Sequence, residues 1–112
     1  MITQSPYTGV SWHKGAKRYR SCFQYKGKFV NMGYWDQAEL AAQAVDFGRL
    51  MCYGFDPAKW SRQSSKLNFD RFAQSPIIRV VCAKRLVKIG VLSEEEAGKR
   101  LAEFNALRLS AA

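Results

Sequence analysis

The chain has 112 residues, 47% of them apolar and 24% charged, the make-up of a single globular domain with a modest core. Its 18 Lys and Arg against 9 Asp and Glu leave a net charge of +9, which points to a polyanionic partner. No apolar run reaches the ~18 residues of a membrane span, the N-terminal stretch lacks a signal-peptide core, and three cysteines are an odd number for a disulfide framework. An intracellular, reducing setting is therefore expected, with no membrane partner.

The charge is polarised. Residues 1–35 hold Lys14, Lys17, Arg18, Arg20, Lys26 and Lys28 and no acid. Residues 36–72 balance to zero, and residues 73–112 carry the remaining excess of +3.

The first third reads as β. Tyr7, Val10 and Trp12 lead into a polar turn at His13–Lys17. Arg18 to Tyr25 alternates, with Arg18, Arg20, Cys22 and Gln24 on one face and Tyr19, Ser21, Phe23 and Tyr25 on the other. Lys26-Gly27 is a two-residue hairpin connection in which Gly27 can take a positive φ. Lys28 to Tyr34 forms a third strand, with Val30 and Met32 buried and Phe29 and Asn31 opposite. The product is an antiparallel meander with one apolar and one basic face.

Asp36-Gln37-Ala38-Glu39 has the form of a capping box and predicts a helix beginning at Asp36 and stopping at Gly54. Its inner stripe, Ala38, Ala41, Ala42, Val45, Gly48 and Cys52, is small enough to lie close against a sheet. Phe55 to Ser65 reads as a polar loop, after which Leu67 and Phe69 return to the core. Pro76 starts a second helix that ends at Gly90. Ile77, Val80, Val81, Leu86, Val87 and Ile89 form its expected apolar surface, and Arg79, Lys84, Arg85 and Lys88 its basic one. Ser93-Glu94-Glu95-Glu96 is a capping box for a third helix, with Ala97, Leu101, Phe104 and Arg108 at helical spacing. The fold class is thus α+β: a three-stranded antiparallel sheet on one helix over residues 1–72, then a C-terminal helical hairpin over 73–112. That hairpin either packs on the first unit or forms a homodimer.

Tyr7-Thr8-Gly9-Val10-Ser11-Trp12, Tyr19, Gly33-Tyr34, Ala41-Ala42-Gln43-Ala44-Val45-Asp46 and Leu67-Asn68-Phe69 stand in an order that resembles the Apetala-two/ethylene-response-factor DNA-binding domain. The resemblance covers about residues 6 to 70. It implies a sheet face inserted in the major groove of double-stranded DNA, with contact positions at Thr8, Gly9, Ser11 and His13, near Arg18, Arg20, Cys22 and Gln24, and near Phe29, Asn31 and Tyr34. Arginines usual in the family's first strand are replaced by Thr8, Ser11 and His13, so its GC-rich target is not carried over.

Chemistry assigns the roles on that face. Arg18 and Arg20 suit guanine O6 and N7, and Gln24 and Asn31 suit adenine. Ser11 and His13 join them as expected base contacts. Lys14, Lys17, Lys26 and Lys28 lie at turns and strand ends, where with Thr8 and Tyr34 they meet phosphates. The expected function is DNA binding for transcription regulation or DNA organisation, in the nucleus of a eukaryote or the cytoplasm or nucleoid otherwise. The alternatives are a structural RNA-binding protein of a ribonucleoprotein and a protein-interaction module built on the hairpin. One histidine, no CxxC pair, no Gly-rich phosphate loop and no nucleophile elbow argue against an enzyme, a metal site or a cofactor.

Overall fold

The computed structural model describes residues 7–60 and 67–111. β1 (Val10–His13), β2 (Arg18–Tyr25) and β3 (Lys28–Trp35) form one antiparallel sheet in sequence order, and α1 (Ala38–Tyr53) crosses one face of it. α2 (Pro76–Lys88) and α3 (Glu94–Ser110) follow, both packed on α1. The fold is the α+β arrangement that the pattern predicts.

Strand parity separates the two faces. Val10, Ser21, Phe23, Val30 and Met32 are buried under α1, whereas Arg18, Gln24, Phe29 and Tyr34 are exposed. In the β2–β3 turn both Lys26 (φ 52°) and Gly27 (φ 78°) are left-handed, as a type I′ hairpin turn requires. Lys26 shares a conformation that the sequence reading assigned to Gly27 alone.

Small residues let α1 approach the sheet. A Cβ added at Gly48 would lie 2.6 Å from a Phe23 ring carbon and 3.1 Å from the Met32 sulfur. At Gly9 (φ 78°) a Cβ would lie 2.7 Å from the Cys22 carbonyl oxygen and 2.8 Å from Val45. Ser21, buried in mid-strand, donates its hydroxyl to the Ala41 carbonyl at 2.7 Å. The inner face of the sheet therefore holds a polar group only where the helix backbone can accept from it.

Several expectations change. Asp36 does not cap α1: the N-cap is Gln37, without a side-chain hydrogen bond. Asp36 directly follows the end of β3 at Trp35, and its carboxylate pairs with Arg18 at 3.0 Å. The 55–60 part of the loop is not wholly polar. Phe55 packs at 5.6 Å from the Phe104 ring, and Trp60 is buried, its indole N–H donating to the Gly54 carbonyl at 2.9 Å. Ser61 to Ser65, in the same expected loop, lie outside the described residues.

In α2 the buried side is Ile78, Arg79, Cys82, Ala83 and Leu86, while Ile77, Val80, Val81 and Ile89 are exposed. Apolar residues occur all round this helix, so periodicity did not select the face. Arg79 leaves the expected basic surface: it is buried, donates to the Gln74 carbonyl, and stands over the Phe104 ring at 5.9 Å. Arg85 leaves it too, its Nε donating to the Asn31 carbonyl on the free edge of β3 at 3.0 Å. Lys84 and Lys88 remain exposed.

α3 begins as read. The Ser93 hydroxyl accepts from the Glu96 N–H at 3.1 Å. The Glu96 carboxylate pairs with Arg100 at 2.8 Å. Arg100 also donates to the Met51 and Cys52 carbonyls, the last turn of a helix that has no basic residue there itself. Phe104 is fully buried, with the rings of Phe47, Phe55 and Phe72 between 5.1 and 5.6 Å away. The C-terminal helices thus share one core with the sheet unit.

The close approach of α1 has a measurable consequence. Gly48→Ala should lower stability by about 1–2 kcal/mol, because overpacking against Phe23 outweighs the ~1 kcal/mol gain in helix propensity. Urea unfolding reads this as a lower midpoint with unchanged slope, whereas a gain in stability would show that α1 stands further off.

Candidate nucleic-acid interface

The face of the sheet turned away from α1 is built in cross-strand rows. His13 lies beside Arg18; Ser11, Arg20 and Tyr34 align; Cys22 lies beside Asn31; and Gln24 lies beside Phe29. The structure brings together all six residues expected to contact bases: Ser11, His13, Arg18, Arg20, Gln24 and Asn31.

Tyr34 joins this face because of a bulge. The register shifts between Ser21–Gly33 and Cys22–Asn31, which leaves Met32 unpaired. Unbroken alternation after Met32 would have turned Tyr34 toward the helix. The bulge turns it outward, opposite Arg20. Gly33, at φ 103°, donates its N–H to the Asn31 side-chain oxygen at 2.7 Å, and Arg85 holds the Asn31 carbonyl from outside.

Several candidates are already partly engaged. Arg18 is ion-paired with Asp36, both side chains more than half exposed, so the pair is weak and open to competition. His13 Nδ1 accepts from the Ala16 N–H at 3.0 Å, closing the β1–β2 turn, and its ring meets Tyr34 at 5.2 Å across β2. Arg20 is half-buried, and its Nε has no hydrogen-bond partner among the described residues. Asn31 accepts the Gly33 N–H on its side-chain oxygen, which keeps one lone pair, and its amide N–H donors are unengaged among the described residues. An adenine contact by Asn31 would share that oxygen with the Gly33 N–H. Gln24 is exposed, and its backbone carbonyl accepts from the Tyr53 hydroxyl.

The lysines sit at the ends. Lys14 and Lys17 flank the β1–β2 turn, and Lys26 and Lys28 the β2–β3 turn. The eight residues of β2 separate the two pairs by about 26 Å. Between them lies an open depression of about 670 Å³, bordered by Ser11, Arg20, Cys22, Phe29 and Asn31. Cys22 contributes a half-buried thiol that burial pushes up and nearby Arg20 pulls down.

Thr8 is exposed and bonds to Asn68. Its N–H and hydroxyl both meet Asn68 Oδ1, at 2.8 and 3.1 Å, and its carbonyl accepts from Asn68 Nδ2 at 3.0 Å. Asn68 is in turn held by Asp46, whose carboxylate accepts from the Asn68 and Phe69 backbone N–H groups at 2.8 and 2.9 Å. A buried carboxylate on α1 thereby fixes the chain just before β1. Asp46 thus ties α1 to the segment at Asn68 and Phe69. Arg85 is the residue at this site that sequence reasoning missed; it lies 54 positions from Asn31, and no local pattern marks that contact.

Among the described residues no helix is long and apolar enough to cross a membrane, and no cluster of three or more His, Cys, Asp or Glu could hold a metal ion. Comparison of the chain with protein-family models, with curated proteins and with solved structures returned no match.

Burial pushes the Asp46 carboxyl up to about 6, against the pull of its backbone donors and of Arg49. An unfolded aspartate titrates near ~3.9, so folded Asp46 holds its proton more tightly. Its contribution to stability is complete below about pH 4 and is lost as pH rises through 6. A carboxyl ¹³C titration should place Asp46 near 6, and the urea midpoint should carry a falling component over the same window. A midpoint near ~4 for Asp46 would show that its hydrogen bonds outweigh burial.

Proposed function

We propose that the protein binds double-stranded DNA by seating the outer face of its sheet in the major groove. The observation that carries this reading is the charge geometry of that face. Arg18 and Arg20 stand on β2, Lys14, Lys17, Lys26 and Lys28 lie at its two ends, and the acid paired there is Asp36, at the margin of the face. A narrow antiparallel sheet fits the major groove, where base edges carry a distinct donor and acceptor code. Lysines at the turns suit the flanking phosphates, and the Arg20 row suits the groove floor.

The resemblance to the Apetala-two/ethylene-response-factor domain supports the same docking mode. Transcription regulation or DNA organisation, and a nuclear or nucleoid location, follow from it. Duplex RNA is disfavoured because its major groove is too narrow for a sheet. Catalysis has no part in this reading, in which the interface positions and reads without making or breaking bonds.

The two arginines should not be equivalent. Arg20→Ala should weaken binding to a random-sequence duplex about tenfold or more. Arg18→Ala should cost less, because Arg18 must first leave Asp36. With roughly six phosphates neutralised, log Kd should rise with log salt at a slope near 5. Fluorescence anisotropy across a salt series, with duplex RNA as competitor, tests all three. Unchanged affinity in Arg20→Ala, or equal competition by duplex RNA, would overturn the docking mode.

A further inference from the structure

Resting on the reading that the outer face enters the major groove, we propose that the depression beside Phe29 is a thymine-reading site, with Phe29 and Cys22 taking the methyl group and Asn31 donating to O4. Among the described residues Phe29 is the most exposed large apolar side chain, at 76%. A lone exposed apolar side chain is common and carries no meaning by itself. Phe29 differs because it borders the depression together with Cys22, Asn31 and Arg20. Cys22 and Phe29 are diagonal neighbours on adjacent strands, within reach of each other on one face. Burial keeps the Cys22 thiol neutral, so the pair offers a soft, apolar border.

The polar partner is specified by the bulge. Gly33 engages the Asn31 oxygen and orients the amide, whose N–H donors have no partner among the described residues and can be offered to a ligand. Each base edge answers that combination differently. Thymine presents the O4 acceptor next to a methyl group, matching a donor beside an apolar border. Cytosine presents a donor where Asn31 also donates. Adenine and guanine present no methyl group to the apolar border. Arg20 stands two residues along β2 from Cys22, about 7 Å, or two base-pair steps. The face is thus built to read a thymine about two steps from a guanine.

The test uses the full chain. Duplexes are selected from a random pool by the wild-type protein and resynthesised with deoxyuridine in place of thymidine, which removes only the methyl groups. Wild-type affinity should fall about fourfold for the methyl at this site, the worth of one buried methyl group. Phe29→Ala, an exposed substitution that leaves the core untouched, should bind both forms equally and about as weakly as wild type binds the uracil form. Two results would overturn the proposal while leaving groove docking intact: equal wild-type binding to both forms, or the same preference retained in Phe29→Ala. If wild type retains no duplex from the pool even at low salt, groove docking itself fails and the thymine site fails with it.

Discussion

The distance between α1 and the sheet is the constraint on which the rest of the molecule depends. Gly48 leaves room for the Phe23 ring and the Met32 sulfur, and Gly9 brings the start of β1 against Val45. A larger residue at either position would push the helix away from the strands. With the helix close, the inner face of a narrow sheet is dry enough to bury Val10, Phe23, Val30 and Met32. The other face need not contribute to the core, and it can carry arginines at little cost to folding.

The C-terminal helices complete this arrangement more than they extend the basic surface. Arg79 is buried over Phe104, Arg85 satisfies a carbonyl on the edge of β3, and Arg100 caps the last turn of α1 from outside. Three of the seven basic residues after position 72 are thus spent on tertiary contacts. In each case a guanidinium reaches a backbone carbonyl that the local structure leaves free, which suits its long stem and forked donors. Lys84 and Lys88 stay exposed on α2, apart from the acid-free basic face of the strands. Asp46 works in the same way from inside the core, giving the segment at Asn68 and Phe69 the acceptors it lacks and holding Thr8 through Asn68.

Much of the face was legible in the sequence. The period of two from Arg18 to Tyr25 assigns its side chains correctly, and the Lys26-Gly27 turn sets the pairing of β2 with β3. The outward position of Tyr34 was not legible from alternation, since it depends on the unpaired Met32. Nor was the Gly33 N–H bond to the Asn31 side-chain oxygen, which follows from the same bulge. Asp36 carries the residue type of a cap, yet it lies one step too early in the chain and faces Arg18. Ile77, Val80 and Val81 belong to the expected apolar surface of α2, but the helix is apolar all round and its neighbours in space cover the other side.

The sequence by itself determined the local matters: an acid-free run of strands, two hairpin turns, a helix of small residues, and the capping box at Ser93. These depend on residues within a few positions of each other, where spacing translates directly into geometry. The tertiary structure alone decided which guanidinium groups remain available to a partner, where the β3 register slips, and which side of α2 is buried. Such outcomes turn on contacts across as many as 60 positions, from Arg85 to Asn31 and from Asn68 to Thr8. There the deciding quantity is which buried polar group must find a partner, and no local period encodes it.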